Sequence, residues 1–96
     1  MVSQFGNKIR QLREQQNLLL RQVAPLLEID TPLLSKIERG ERIAKKEMVN
    51  KLADILKTDR GELLTLWLAD QVYDVVKDED VANEAIKNVS KKIKKK

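Results

Sequence analysis

The stretch Leu18-LLRQVAPLLEIDTPLLSKIERGE-Arg42 decides how this chain is read. Its first half predicts a short helix from about Leu20 to Glu28, with Val23, Ala24 and Leu27 on one side. Pro25 is awkward there, because a proline in a helix interior costs ~3 kcal/mol while one in the first turn costs little. That helix is therefore expected to begin late, near Arg21 or Gln22. The second half has a clearer start. Thr31 suits an N-cap, Pro32 suits the first helical position, and the helix runs from Leu33 to Arg39 until Gly40 stops it. Leu34 and Ile37 point inward, which leaves Leu33, Ser35, Lys36 and Arg39 on other faces. Two short helices joined by Glu28-Ile-Asp-Thr31 result.

Outward from this stretch, the same period continues in both directions. Phe5, Ile9, Leu12 and Gln16 lie one helical turn apart, predicting a first helix from Phe5 to Gln16 that sends Lys8, Arg10, Gln11 and Glu14 outward. Asn17 ends it, since asparagine tolerates the left-handed conformation found past helix ends. Val49, Leu52, Ala53 and Leu56 form an i, i+3, i+4, i+7 set on a fourth helix from Lys45 to Leu56. Asp59-Arg-Gly-Glu62 has the form of a capping box that opens a longer helix to about Val76. Asp78 or Asp80 then precedes Val81, Ala85, Ile86, Val89 and Ile93, a last amphipathic helix that dissolves into Lys94, Lys95 and Lys96. Residues 77–80 are the expected hinge. With three glycines, two prolines and no strand-like alternation, the chain reads as all-α.

Composition excludes much chemistry. The 96 residues hold neither histidine nor cysteine, so the usual general base, thiolate metal ligand and cysteine nucleophile are all missing. An enzyme, a metal site and a cofactor are not expected, and no small-molecule ligand is implied. The longest apolar run, Leu66 to Ala69, is far shorter than the ~20 residues that span a bilayer. A soluble protein of the cytoplasm, with no membrane partner, is the expectation. The net charge of +4 is unevenly placed: residues 1–57 balance at +4, residues 58–80 at −5 and residues 81–96 at +5. Such blocks suit either a polyanionic partner or a set of solvated helix faces with a lysine tail.

The residues then become specific. Ile9-Arg-Gln-Leu-Arg13-Glu14, Val23-Ala24, Leu34-Ser-Lys-Ile-Glu-Arg-Gly40, and Lys51-Leu-Ala-Asp-Ile-Leu56 followed by Glu62-Leu-Leu64 together resemble the helix-turn-helix domain of the Cro and phage-repressor family. The likeness covers residues 5 to about 66. It implies a five-helix, lambda-repressor-like fold over residues 1–66, with an extended fifth helix and a C-terminal helical extension over residues 67–96. It also implies double-stranded DNA as partner, with the helix at about 31–39 in the major groove. On that likeness the base-reading positions are Thr31, Pro32, Leu33, Ser35 and Lys36. Lys36 can donate to guanine O6 and N7, Ser35 and Thr31 can donate or accept, and Leu33 can meet a thymine methyl or serve as a core leucine. Arg21, Gln22, Arg39 and Arg42 suit phosphates. Arg13 and Glu38 match a structural ion pair, whose loss is expected to unfold the domain and so abolish DNA binding. Two departures stand out: Leu19 and Leu20 replace a polar cap and a phosphate-binding glutamine, for which Gln22 can substitute. Glu28 replaces a turn glycine, which suggests that positive φ is not needed there.

Beyond Leu66 the apolar residues Trp67, Leu68, Val72, Tyr73, Val75 and Val76 exceed what a solvated helix end needs. Either the last helix or a second copy covers them. A homodimer built largely from residues 63–93 is expected, with an interface of Trp67, Leu68, Val72, Tyr73, Val76, Ile86 and Val89, reading a short palindrome through two recognition helices. The functional expectation is a transcription regulator, similar to restriction-modification controllers or a stand-alone repressor. The alternative is an antitoxin-like protein whose C-terminal helices hold a different partner. The terminal lysines fit either supplementary phosphate contacts or a solvated tail.

Overall fold

A computed structural model describes residues 3–95. Six helices follow one another: α1 (Gln4–Gln15), α2 (Leu20–Val23), α3 (Thr31–Glu38), α4 (Lys46–Ile55), α5 (Arg60–Val76) and α6 (Ala82–Lys94), with a 3-10 turn at Ala24–Leu27 between α2 and α3. No strand occurs among the described residues, in line with the all-α reading. The described residues begin at Ser3 and stop at Lys95, so Lys96 of the lysine tail lies outside them.

Four C-terminal stops share one device. After α1, α4 and the 3-10 turn, Asn17, Lys57 and Glu28 take φ of 57°, 58° and 58°, and Gly40 takes 79° after α3. At α3 the Glu41 N–H donates to the Lys36 carbonyl at 2.8 Å and the Gly40 N–H to the Ile37 carbonyl at 3.1 Å, so the left-handed residue closes otherwise orphaned carbonyls. The expectation that Glu28 needs no positive φ is thus overturned: the turn keeps the left-handed conformation that a glycine would adopt, with a side chain bearing the strain.

Starts differ from the sequence reading in three places. The α2 helix begins at Leu20 rather than late. Pro25 is accommodated instead by tightening the next turn into a 3-10 helix, where its ring sits in the first turn and no α-helical carbonyl four residues back is crowded. The N-cap of α3 is Asp30, not Thr31: its Oδ1 accepts from the Leu33 N–H at 2.9 Å, so Thr31 and Pro32 become the first two helical residues. The α6 helix is capped by neither Asp78 nor Asp80; its N-cap is Val81, with no side-chain hydrogen bond. At α5, Asp59 caps as expected by accepting from Glu62 N at 2.9 Å. The reciprocal half of that box is absent, because the Glu62 carboxylate turns to Lys8, 3.4 Å away.

The core lies where α1, α3, α4 and α5 meet. Ile9, Leu34, Ile37, Val49, Leu52, Leu56 and Leu63 are almost fully buried, with Val23, Ala24 and Leu27 closing it from the α2 side. Burial of one such side chain contributes about 1.5–3 kcal/mol, which makes this cluster the main source of stability. Gly6, in the middle of α1's first turns, lets α1 approach α3: a Cβ there would fall against the Glu38 carbonyl and lie 2.8 Å from the Ile37 oxygen. Helix α5 is a continuous rod of 17 residues, so no element boundary falls between Leu66 and Trp67. The radius of gyration is 15.0 Å, against about 13 Å for a compact chain of this length. The excess comes from the end of α5 and from α6, which buries no residue.

Candidate functional site

One face of α3 is committed to the core and the other is not. Leu34, Ile37 and Glu38 are buried, and these three lie on one side of the helix. Pro32, Ser35, Lys36 and Arg39 therefore share the opposite face, of which Pro32, Lys36 and Arg39 are exposed and Ser35 half-buried. Thr31 and Leu33 occupy the two edges, both half-buried. Leu33 packs against the core as well as facing outward, so its apolar atoms serve both surfaces.

What holds α3 in this pose is an ion pair. Arg13 Nε and Nη2 donate to the two Glu38 carboxylate oxygens at 2.8 and 3.1 Å, and Arg13 Nη1 donates to the Leu18 carbonyl at 2.8 Å. Arg13 is 9% exposed and Glu38 6%. The Glu38 hydrogen bond holds the guanidinium above its ordinary range against the opposing effect of burial. A raised arginine pKa means that the guanidinium's contribution is fully present below its ordinary value and is lost only as pH rises through the raised one. One side chain thus ties α1, the turn before α2 and α3 together. Removing either partner would leave an uncompensated charge, at a cost of about 3–5 kcal/mol.

Around the exposed face the cations are of two kinds. Arg39 is engaged: its Nε lies 2.7 Å from Glu41 Oε2, and its Nη1 donates to Ser35 Oγ at 3.1 Å. The Ser35 hydroxyl keeps its own proton to donate. Lys36, Arg21 and Arg42 are exposed and have no ion-pair partner among the described residues. Gln22 serves α2 first, because its Oε1 accepts from the Leu19 N–H at 2.8 Å. That bond is the reciprocal half of a capping box; the half that a polar cap side chain would make is missing with leucine there, and the Gln22 backbone N–H donates to the Leu19 carbonyl at 2.9 Å. Lys45 and Lys46, at the start of α4, extend the sequence of cations after Arg39 and Arg42. Sequence reading did not single them out. A helix N-terminus disfavours positive charge, so their position there was the available signal.

The residues expected at a subunit interface divide into two groups. Leu68, Val72, Tyr73, Val76 and Ile86 line one apolar cleft, joined by Thr65 and Ala69, between α5 and α6. Leu68 and Tyr73 are more than half exposed, at 55% and 54%. Val89 is exposed on α6 but does not line that cleft. Trp67 belongs elsewhere: it is half-buried, packs against the core, and donates Nε1–H to the Ala44 carbonyl at 2.8 Å. One turn on, Asp70 accepts from Ser3 Oγ at 2.7 Å and from the Gln4 and Phe5 N–H groups at 3.1 and 3.0 Å. Asp70 thus anchors the start of α1.

With this geometry in view, residues 4–66 match the helix-turn-helix domain family, about two thirds of the chain. The chain belongs to that family. It is 36% identical over 64 residues to RghRB of Bacillus subtilis (strain 168), described as an uncharacterized HTH-type transcriptional regulator. That alignment covers 66% of this chain and 46% of the relative, so the chain spans about half the length of the curated relative it matches. No solved structure matches it. Among the described residues no helix is long and apolar enough to cross a membrane.

Proposed function

We propose that this chain is a sequence-specific DNA-binding transcription regulator that acts as a homodimer on a short palindromic operator. The observation that carries the reading is the division of α3: Leu34, Ile37 and the clamped Glu38 fix one face, and Pro32, Ser35 and Lys36 stand on the other. A helix fixed from behind, with a polar and cationic front, suits insertion into the major groove. In this reading Lys36 and Ser35 read base edges, Thr31, Pro32 and Leu33 contribute contacts from the N-terminal edge, and Arg21, Gln22, Arg39 and Arg42 meet phosphates, joined by Lys45 and Lys46. The exposed cleft of Leu68, Val72, Tyr73, Val76 and Ile86 supports the homodimer, since contiguous apolar surface of this kind marks an interaction site.

Mobility-shift titration with DNA from upstream of the protein's own gene, at two salt concentrations, tests this. Binding that prefers this DNA over random sequence and weakens steeply with salt is expected. Lys36→Ala should relax the preference at one base pair by about 1–3 kcal/mol, whereas Arg42→Ala should weaken all sequences alike. Base-substitution scans that are identical for wild type and the Lys36 variant would refute the recognition-helix assignment. A second reading, an antitoxin-like protein whose C-terminal helices bind a different protein, draws on the same exposed cleft. Sedimentation of the purified chain as a monomer at micromolar concentration, with or without DNA, would favour that reading over the homodimer.

A further inference from the structure

We infer that α6 is a self-complementary arm that docks, antiparallel, into the α5–α6 cleft of a second copy of this chain. The inference rests on the homodimer reading and specifies how the copies meet. Helix α6 buries nothing, although Ala85, Ile86, Val89 and Ile93 form a single stripe along its 13 residues. Val89 and Ile93 remain 54% and 61% exposed. An apolar stripe about 20 Å long, of which Ile86 alone borders the cleft, is left largely uncovered by the described residues and is matched in the same molecule by an apolar cleft that they do not fill.

Charge then selects the occupant and its direction. After Lys77, which lies 3.6 Å from Asp74 of α5, the turn into α6 and its first turn carry Asp78, Glu79, Asp80 and Glu84, while Lys87, Lys91, Lys92, Lys94 and Lys95 follow with no anion. All nine from Asp78 to Lys95 are exposed. Two such arms laid antiparallel bring the acidic end of each beside the basic end of the other; laid parallel, they bring like ends together. Most of these charges lie behind or beside the stripe, so they act as end charges across the roughly 8–10 Å over which salt screens them, not as fixed ion pairs. The helix macrodipole also favours acids first and bases last, but only in the terminal turns, and it makes no demand for an apolar stripe. A second copy is the partner that necessarily carries this pattern reversed in space.

Sedimentation equilibrium on two full-length variants and on wild type tests the arrangement, in the absence of DNA. Asp78→Lys/Glu79→Lys/Asp80→Lys/Glu84→Lys makes the arm basic from residue 78 onward, and Lys91→Glu/Lys92→Glu/Lys94→Glu/Lys95→Glu turns its basic end acidic on balance, leaving Lys87 and Lys96. Each alone should dimerise roughly tenfold more weakly than wild type at low ionic strength, and an equimolar mixture should recover wild-type association through heterodimers. The wild-type dimer should weaken as salt is added. A wild-type dimer that tightens with salt overturns the antiparallel direction. A dimer indifferent to both reversals overturns the arm while leaving the homodimer standing, and a chain monomeric throughout overturns the homodimer itself.

Discussion

Glu28 and Gly6 occupy opposite extremes of backbone tolerance, and each sets a stability that substitution can measure. At Glu28 an L-side chain sits at φ 58° and ψ 37°, a conformation that costs such residues about 1–2 kcal/mol and glycine almost nothing. Glu28→Gly is expected to raise the thermal midpoint, by about 1 kcal/mol less the greater flexibility that glycine gives the unfolded chain. Gly6 is the reverse case. Gly6→Ala would improve helix propensity by up to about 1 kcal/mol, yet its methyl would meet the backbone carbonyls of Ile37 and Glu38, which cannot retreat without moving α3. A net loss of about 1–3 kcal/mol is expected in denaturant unfolding. The sequence held no sign of the constraint at Gly6, which arises from where α3 is placed; at Glu28 the turn glycine of the family likeness was the sign, and the left-handed conformation persists without the glycine. The clamp was different: Arg13 and Glu38 were legible from the family likeness, and the structure gives them the two-pronged geometry that such a pair needs.

Among the elements, helices with an apolar period were readable nearly to the residue, and their ends were not. Val49, Leu52, Ala53 and Leu56 announced α4 because burial imposes a 3.6-residue repeat. Caps depend on which nearby acceptor arrives first, and so Asp30 displaced Thr31 at α3, while Val81 rather than an aspartate begins α6. Pro25 was read as delaying α2, when changing the helix type one turn later removes the conflict locally. The most consequential element is α5. The single helix to about Val76 is as the sequence predicts, but the domain boundary expected at Leu66 falls inside it: Trp67 and Asp70 carry its contacts with the N-terminal part a full turn further, through the Ala44 carbonyl and the start of α1. Asp70→Ala should therefore behave as the loss of a helix cap and lower stability by about 1–2 kcal/mol in thermal unfolding. An unchanged midpoint would show that Ser3 caps α1 unaided through its bond from Gly6 N.

For the whole molecule, charge and apolar surface divide along the chain's length. The basic N-terminal block surrounds a fixed helix with a polar front, and the acid-then-base tail flanks an uncovered stripe. The candidate DNA face was legible because an amphipathic helix declares both of its sides at once. The proposed subunit face was legible only as a surplus of apolar residues, since one sequence does not say what will cover them. The unbroken course of α5 has a consequence for the DNA as well. In the proposed dimer each recognition helix is joined to the subunit contact by a stiff lever, so the assembly works as a ruler. One extra base pair between half-sites turns the second by about 35° and moves it by about 3.4 Å, a displacement that a rigid frame cannot follow. The permitted length of the operator is then set by a helix that never touches it.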